Sequence, residues 1–331
     1  MSWIDIKYLV KLIAAVVLGK KYWNYRFYPK RSQEISARGA FGSHNLETFS
    51  IVLQGPVLVN DNFTIETLRL YKKLFPLAHI ILSTWSLTKS QKSILSDMSI
   101  NYIENHKPDN PGISNINMQI QTSKSGLLLA KKLGAQYAVK TRTDQRIYHP
   151  SLYAYLRNLL NLFPLKNKVL AQHERLIGVS LNTFKYRMYG LSDMFLFGQI
   201  DDMLLYWNIP FDPRIDTSEE QSNAGNSWKE FAKWRVCETY LCTEFLDRVG
   251  HKTKFTLTDS FVALSEHFVV IDSESIKLFW NKYTLNADRY SAFGFFDPQV
   301  SFNDWLMMYE NTENVSIDHS IIDQPISTER G

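Results

Sequence analysis

The chain has 331 residues, of which 45% are hydrophobic and 21% are charged, and its formal net charge is +4 at pH 7. This balance is typical of a folded globular protein with room for one large domain or two smaller ones, and it excludes a largely disordered chain. The net charge is too small to indicate nucleic acid, so we expect no nucleic-acid partner.

Residues 1–31 are predicted to form an amphipathic N-terminal helix. The uninterrupted apolar part, 12–18, is much shorter than the roughly 20 residues that span a bilayer. Basic and aromatic residues at 20–31 suit the headgroup region of a membrane, so we favour an interfacial anchor on the inner face of the cytoplasmic membrane. The alternative is a helix packed on the domain or on a partner. No small-residue cleavage site follows the apolar run, so we predict no secretory signal.

Strands alternate with helices from residue 49 to residue 147, after a polar linker at 32–47. This order predicts a mostly parallel sheet with right-handed crossovers and helices on both faces. Gly-rich phosphate-binding fingerprints are missing, which disfavours dinucleotide oxidoreductases and P-loop enzymes. The predicted strands are 49–53, 79–85, 100–104 and 137–140, and the predicted helices are 62–75, 88–98 and 115–133.

The second half of the chain continues the α/β pattern up to residue 310, and a polar, frayed tail is expected at 311–331. A turn with Ser192 and Asp193 leads into a hydrophobic strand, and a polar loop covers 212–227. The other predicted elements are helices at 151–162, 200–207, 228–250, 273–282 and 301–309, and strands at 168–171, 253–264 and 268–271.

A charged cluster follows the predicted strand 137–140, where Arg142, Asp144 and Arg146 lie within five residues. Ligands of open α/β sheets bind beyond the carboxyl ends of strands, because the backbone diverges there. Asp144 could bind a divalent metal or sugar hydroxyls, while the guanidinium groups face phosphate oxygens. The alternative is a surface turn with an internal Asp–Arg pair.

The helix at 115–133 opens with amide, hydroxyl and ammonium side chains, among them Lys124, which suits a phosphate or ribose. The two cysteines, Cys237 and Cys242, lie five residues apart in a helical pattern, and neither belongs to a metal-type cluster in the sequence. We expect them to be buried packing thiols, and their low number fits a reducing compartment. His267 could be a late metal ligand, although a hydrogen-bonded loop histidine is the favoured interpretation.

Five short segments stand in order between residues 49 and 200: 51–56 (IVLQGP), 80–85 (IILSTW), 115–126 (NINMQIQTSKSG), 139–144 (VKTRTD) and 190–195 (GLSDMF). Together they resemble the WavE lipopolysaccharide-synthesis family. The resemblance implies a glycosyltransferase with a GT-A-like, nucleotide-sugar-binding α/β domain over residues 48–310. Its product would be a bacterial surface glycan, such as lipopolysaccharide core, O-antigen or capsule, built in the cytoplasm at the membrane.

GT-A enzymes usually hold a divalent metal with an Asp-x-Asp motif at a strand end. The corresponding triplet here is Asp144-Gln145-Arg146, in which an arginine replaces the second carboxylate. Two outcomes are open. Asp144 could still hold Mg²⁺ or Mn²⁺, with water and phosphate at the other positions. Alternatively, Arg142, Arg146 and Lys124 could neutralise the leaving diphosphate without a metal.

Glycosyl transfer requires a positioned nucleotide, a stabilised diphosphate and, for inversion, a base for the acceptor hydroxyl. Asp193 is the first candidate base; its alternative roles are capping the turn or pairing with Arg187. Glu238 is the second, with an ion pair to Arg235 as its alternative, and Glu220 is the third. The predicted donor-binding residues are Gln54, Gly55 and Pro56 for the base and ribose, Thr84 and Trp85 beside them, Lys124, Arg142 and Arg146 for the diphosphate, and Asp144 for the metal or sugar.

Two rival functions remain. A non-catalytic scaffold of polysaccharide assembly would use the N-terminal helix alone. A nucleotidyltransferase or sugar-phosphate transferase would use similar polar strand ends. A response to nucleotide sugars separates the first rival from a glycosyltransferase, and the identity of the product separates the second.

Overall fold

The computed structural model describes residues 10, 13, 31–34, 48–166, 171–281, 298–311 and 318–324. The predicted amphipathic helix at 1–31 and most of the linker therefore lie outside the described residues. Val10 and Ile13 are exceptions; both are helical and exposed. Within the described ranges, the search for a helix of sufficient length and hydropathy to traverse a bilayer finds none.

A seven-stranded sheet with the order β3-β2-β1-β4-β7-β6-β8 forms the centre of the described chain. The predicted parallel pairing is confirmed for β1 with β2 and β4, and for β2 with β3. Strand β7 is antiparallel to both β4 and β6, whereas β8 is parallel to β6. These strands are β1 (Phe49–Gln54), β2 (His79–Thr84), β3 (Asn101–Glu104), β4 (Tyr137–Arg142), β6 (Leu176–Val179), β7 (Leu196–Gln199) and β8 (Phe268–Ile271).

Helices flank this sheet, as the alternating pattern predicts. Helix α3 packs directly on β1, and a Cβ at Gly126 would lie only 2.3 Å from Val52 Cγ1. Every residue of β1 is buried, as expected for a strand covered on both faces. The helices are α1 (Phe63–Leu74), α2 (Lys89–Asp97), α3 (Ile116–Lys132), α4 (Leu152–Leu162), α5 (Ile200–Trp207), α6 (Ser218–Ser222), α7 (Trp228–Trp234), α8 (Cys237–Arg248), α9 (Leu257–His267) and α10 (Phe302–Asn311).

Predicted and observed elements agree from residue 49 to residue 142. After it, the predicted helices 151–162, 200–207 and 301–309 and the predicted strand 268–271 are also confirmed, whereas other elements differ. The predicted helix 228–250 is broken at Arg235, whose φ of 62° is left-handed and ends α7 before α8 begins. The predicted strand 253–264 is wrong: Thr256 caps helix α9 by accepting a hydrogen bond from the Asp259 backbone N–H. The capping side chain outweighs the β-branched residues on which the strand prediction depended.

The predicted helix 273–282 is also wrong. A short 3₁₀ turn, Ser273–Ile276, is followed by strand β9 (Leu278–Trp280). Strand β9 pairs in antiparallel fashion with β5 (Gln145–Ile147), so a strand lies where the charged cluster had suggested only a turn. The predicted strand 168–171 lies largely outside the described residues, and strand β6, which follows it, was missed.

The predicted linker and the predicted C-terminal tail were not expected to pack on the domain, but their described residues do so. At the start of the predicted linker, the Ser32 backbone N–H and hydroxyl both donate to Glu66 of α1, at 3.0 and 3.1 Å. In the predicted tail, a 3₁₀ turn, His319–Asp323, buries Ile322 and contacts α7. The fraying expected of the tail therefore does not extend to these residues.

Candidate active site

The order of the strands reverses between β1 and β4. From β1 the sheet extends to β2 and β3 on one side, and β4 adds to the other side. Gln54 and Arg142, the last residues of β1 and β4, are register partners across this junction. In open α/β sheets such a junction opens a crevice at the carboxyl ends of the strands, and ligands bind there. The strand order is therefore consistent with the site that the sequence predicts at this edge.

Gly55 continues β1 into this edge in a conformation that only glycine adopts easily. Its φ is 120°, and a Cβ there would lie 2.8 Å from Thr143 Oγ1. The Gly55 N–H donates to the Ser83 carbonyl at 3.1 Å, and the Thr143 N–H donates to the Gln54 carbonyl at 3.0 Å. Backbone hydrogen bonds thus join Gly55 to β2 and Thr143 to β1, and the Thr143 hydroxyl leaves no room for a side chain at residue 55. Pro56, next in the chain, is exposed.

The first half of α3 orients the polar end of β1. Thr122 Oγ1 donates to Gln54 Oε1 at 2.9 Å, and Ser83 Oγ donates to the Thr122 carbonyl at 2.6 Å. Thr84 is buried at the end of β2, and Trp85 beside it is half-buried. The residues predicted to contact the base and ribose therefore lie together on one surface, the ledge, which is formed by the ends of β1 and β2 and the first half of α3.

Asp144 lies in a group that we name the strand-end cluster: Gln54, Arg142, Asp144 and Trp280. Arg142 donates to both carboxylate oxygens of Asp144, from Nε at 2.9 Å and from Nη2 at 3.0 Å, and Trp280 Nε1 adds a third bond at 2.9 Å. Burial raises the pKa of Asp144, but the Arg142 guanidinium and the indole N–H outweigh it, so the pKa lies below its usual value. The carboxylate is therefore ionised and fully engaged.

This arrangement fits a divalent metal at Asp144 poorly. The Arg142 guanidinium occupies the position that a cation would take, and a metal would have to replace two charge-assisted hydrogen bonds. The internal Asp–Arg pair, which the sequence offered as the alternative interpretation, is present, but it lies at the ligand-binding edge and not on an unrelated surface turn.

Arg146 points away from this edge. Its Nε donates to Thr67 Oγ1 at 2.9 Å and its Nη2 donates to the Phe63 carbonyl at 3.1 Å, both in α1. Its guanidinium also lies over the Phe63 ring, 4.4 Å from the ring centroid, and only 1% of the residue is exposed. The predicted phosphate contact is therefore wrong for Arg146, because the guanidinium is used inside the core.

Asp193 reaches the same edge through the antiparallel direction of β7. Leu196, at the start of β7, pairs with Lys140 near the carboxyl end of β4, so the preceding turn projects beyond that end. Asp193 lies there with Cys237 and Glu238 of α8, and the ligand atoms of these three buried residues are within 4.8 Å of one another. We name this group the buried acid cluster. It contains the first two candidate bases.

Glu238 is held on several sides within this cluster. Asn182 Nδ2 donates to its Oε1 at 2.6 Å, the Cys237 thiol donates to Oε2 at 2.9 Å, and Arg187 Nη1 lies 3.6 Å from Oε2. Burial raises the pKa of Glu238, but the Arg187 charge and the hydrogen bonds from Cys237 and Asn182 together outweigh it, so the pKa is lowered. Glu238 is thus a stable carboxylate and a weak proton acceptor.

The ion pairs of this region differ from those proposed from the sequence. Arg187 pairs with Glu238 and not with Asp193, and Arg235 pairs with Glu244 at 2.7 Å and not with Glu238. The prediction that Cys237 belongs to no metal-type cluster is also corrected. The fold brings its thiol beside the carboxylates of Glu238, the next residue, and of Asp193, which is distant in the sequence. Burial and the neighbouring Glu238 raise the pKa of the Cys237 thiol, so it remains protonated and is a poor ligand for Mg²⁺ or Mn²⁺.

Lys140 is the residue of this region that sequence reasoning missed. It is fully buried in β4, donates a hydrogen bond to the Asp193 backbone carbonyl, and lies 4.3 Å from the Trp207 ring centroid. Burial lowers the pKa of Lys140 to about 7, although the charge of Asp193 acts in the opposite direction. A lysine inside a buried strand was the available signal, since an ammonium group there needs a specific partner.

Lys124 and Glu220 lie further out. Lys124 is half-buried on α3, and helical spacing puts it on the same flank as Lys131, which forms an ion pair with Asp201 of α5 at 2.5 Å. Glu220 lies in α6 and accepts a hydrogen bond from Trp234 Nε1 at 2.8 Å. The structure places Glu220 in a different group from the Asp193 carboxylate.

Residues 49–323 match the sequence profile of a family described as WavE lipopolysaccharide synthesis. The chain belongs to the WavE family. The match covers all the segments that suggested this family and every strand of the seven-stranded sheet. A comparison with curated proteins gives no match.

Two solved structures are similar to this WavE chain at low identity. A glucose-1-phosphate thymidylyltransferase from Bacillus anthracis, in complex with sucrose, is 10% identical, with a TM-score of 0.31 over 53% of this chain and 81% of that one. A mannose-1-phosphate geranyltransferase from Thermus thermophilus is 13% identical, with a TM-score of 0.25 over 49% of this chain and 53% of that one. At these values neither structure carries an argument about function.

Proposed function

We propose that this WavE-family protein is a glycosyltransferase that moves a sugar from a nucleotide-sugar donor to a growing bacterial surface glycan. One observation carries the proposal: the Gln54–Arg142 junction and the turn that holds Asp193 lie at the same edge of the sheet. A donor bound at that junction would have a carboxylate beside its sugar. Membership of a lipopolysaccharide synthesis family supports this class of reaction.

In this proposal the donor binds along the ledge of β1, β2 and α3. Gln54, Gly55 and Pro56 contact the nucleoside, where Gly55 allows the backbone to approach closely. Thr84 and Trp85 lie at the end of the neighbouring strand. Arg142, whose side chain is 25% exposed, and Lys124 on α3 stabilise the charge of the leaving diphosphate. Asp144 keeps the Arg142 guanidinium in one orientation.

Asp193 is the proposed general base for the acceptor hydroxyl. Among the described residues, no hydrogen bond reaches its carboxylate, whereas Glu238 is engaged by Asn182, Cys237 and Arg187. No side-chain donor of the described chain therefore competes with an acceptor hydroxyl for the Asp193 oxygens, whereas those of Glu238 are already engaged. Lys140 positions Asp193 through its backbone carbonyl.

The proposed acceptor is a glycan or glycolipid of lipopolysaccharide core, O-antigen or capsule type, and the proposed location is the cytoplasmic face of the inner membrane. In the N-terminal segment, Val10 and Ile13 are apolar and exposed, which supports membrane contact. We further propose that Arg142 and Lys124, and not a metal at Asp144, carry the stabilisation of the diphosphate. Turnover that survives EDTA is then expected, and turnover that depends strictly on Mn²⁺ or Mg²⁺ would contradict it.

The experiment that tests this function is a screen of UDP-, GDP- and CDP-sugars by thermal shift, followed by product analysis. We expect one nucleotide class to raise the unfolding temperature, and release of the nucleoside diphosphate with transfer of the sugar. Release of a sugar phosphate would instead indicate a nucleotidyltransferase or sugar-phosphate transferase. A folded protein that responds to none of these nucleotides would favour a scaffold.

A further inference from the structure

A second group of chemically active side chains lies at the opposite edge of the sheet. His267 ends α9 directly before β8, and β8 runs parallel to β6 and therefore to β1 and β4. His251 and Glu266 offer ligand atoms within 4.8 Å of that of His267. We name these three residues the far-edge triad. Because β8 begins at this edge, the triad and the candidate active site are at opposite ends of the strands.

The hydrogen bonds of Gln172 determine which nitrogen of His267 carries a proton. Gln172 Nε2 donates to the Glu174 carbonyl at 2.7 Å and to the His267 carbonyl at 2.9 Å, so the other atom of the amide group is the oxygen. That oxygen lies 2.8 Å from His267 Nδ1, which must therefore be the donor. In the neutral ring, Nε2 of His267 is therefore unprotonated, and its lone pair points towards His251.

As a consequence, one ring nitrogen of His251 has no hydrogen-bond partner. Its Nδ1 lies 3.2 Å from His267 Nε2, so Nδ1 must carry the proton of that contact. Its Nε2 is then a bare lone pair that faces Asp259 Oδ2 at 3.5 Å, and Nε2 is buried without a hydrogen-bond partner. Asp259 Oδ2 already accepts from the Tyr189 hydroxyl at 2.6 Å and the Lys254 N–H at 3.0 Å, so it remains a carboxylate. Two acceptors thus face each other.

We propose that the far-edge triad binds a divalent transition metal of the Zn²⁺ class through His251 Nδ1, His267 Nε2 and the Glu266 carboxylate. The proton of His251 moves from Nδ1 to Nε2, where it donates to Asp259, so no net proton is released. Both outer ring nitrogens then donate to an acceptor, Gln172 for His267 and Asp259 for His251, which is the arrangement that orients metal-bound histidines. Water takes the fourth position.

The observed spacing suits this assignment. Two nitrogens bound to tetrahedral zinc at 2.0–2.1 Å lie about 3.4 Å apart, close to the 3.2 Å between His251 Nδ1 and His267 Nε2. Bound metal would tie the segment between α8 and α9 to the start of β8. Its role would be to stabilise this end of the sheet, because the candidate active site is at the other end.

A second proton is the competing occupant. An imidazolium at His251 could donate to both His267 and Asp259 without any metal. Co²⁺ titration of the metal-stripped full-length protein separates the two, because tetrahedral Co²⁺ absorbs visible light. We expect a tetrahedral spectrum that saturates at one Co²⁺ per chain, displacement by Zn²⁺, and a rise in the unfolding temperature with Zn²⁺.

The variants are chosen so that a failure to fold does not hide the answer. Glu266→Gln should lower Zn²⁺ affinity at least tenfold, Asp259→Asn by about 10- to 100-fold, and His251→Gln by more than a hundredfold. His106→Gln, which changes an exposed histidine elsewhere, should bind as the wild type does. Circular dichroism checks that each variant is folded.

Three results would overturn the assignment. The wild type could give no stoichiometric tetrahedral spectrum. The spectrum could persist in folded Glu266→Gln and His251→Gln. Or it could contain a thiolate charge-transfer band, which would indicate Cys237 and the buried acid cluster as the ligands.

Discussion

The strand-end cluster and the buried acid cluster lie at the same edge of the sheet but use their carboxylates in opposite ways. Asp144 accepts three hydrogen bonds from two side chains, one of them only two residues away. Asp193 accepts none among the described residues, and its neighbours Cys237 and Glu238 come from a distant helix. A carboxylate with several donors holds a cation in place, whereas a carboxylate without donors can accept a hydrogen bond from a substrate hydroxyl. The comparison predicts a division between donor binding and chemistry.

The sharpest test of this division is Asp193→Asn. We expect kcat to fall by about 1000-fold, because general base catalysis contributes factors of that order, while donor affinity changes less than about twofold. Steady-state kinetics and donor binding measure the two quantities. Asp97→Asn, an exposed change on α2, serves as the control. Equal losses in kcat and in donor affinity would place Asp193 among the binding residues.

Asp144→Ala should give the complementary result. Without the carboxylate, Arg142 loses its orientation, and we expect kcat/KM to fall by about 100-fold, mostly through weaker donor binding. Trp280→Phe removes only the indole donor and should cost less than about tenfold. Donor titration and initial rates separate the terms. A loss confined to kcat in Asp144→Ala would reverse the roles of the two clusters.

A stability comparison tests whether the junction itself is built around close backbone contact. Gly55→Ala should lower the free energy of unfolding by about 3 kcal/mol, because the φ of 120° suits glycine and the new Cβ meets Thr143 Oγ1. Gly134→Ala, at a φ of 83° with nothing within 4 Å, should cost only about 1 kcal/mol. Chemical denaturation of both variants measures the difference. Equal costs would show that the contact with Thr143 adds nothing.

The smallest expected effect concerns Lys140, which donates a hydrogen bond to the Asp193 backbone carbonyl. Its pKa falls from 10.5 to about 7 on burial, so the unfolded chain binds a proton that the folded chain lacks between those values. This group therefore makes stability rise with pH through that window. Its destabilising contribution is complete below about pH 7 and vanishes near the unfolded pKa.

Between pH 7.5 and 8.5 the free energy of unfolding should rise by about 1 kcal/mol more in the wild type than in Lys140→Met. Denaturation curves at both pH values give this double difference, in which all other titrating groups cancel. Identical pH slopes in the two proteins would mean that Lys140 keeps an ordinary pKa in the fold.

Prediction from the sequence succeeded where elements depend on neighbours in the chain. The buried apolar run of β1, the capping box at Thr88 and the glycine after α3 mark their elements without any distant contact. Prediction failed where contacts with distant residues determine the secondary structure. Residues 278–280 became a strand because Gln145–Ile147 offers them an edge, and the helix at 228–250 breaks at Arg235, which binds Glu244 and Thr243.

The residues of the candidate site show the same contrast between local and distant determinants. Gln54, Gly55, Arg142 and Asp144 could be found from the sequence, because the carboxyl end of a parallel strand is a ligand-binding position whatever covers it. Arg146 could not be excluded from that set, since only the packing of α1 shows that its guanidinium is used in the core. Lys140 carried a sequence signal, a lysine inside a buried strand, but only the fold shows that its partner is a backbone carbonyl in another segment.

The amino-acid order alone determined the α/β class, the parallel half of the sheet and the position of a polar edge, because hydrophobic period and strand-end chemistry are local properties. Only the tertiary structure decided which charges face each other. The antiparallel direction of β7 brings Asp193 to Glu238, and the parallel direction of β8 brings His267 to His251. Both depend on pairing between strands that are remote in the chain, and such pairing is fixed by the burial of the whole sheet and not by any single segment.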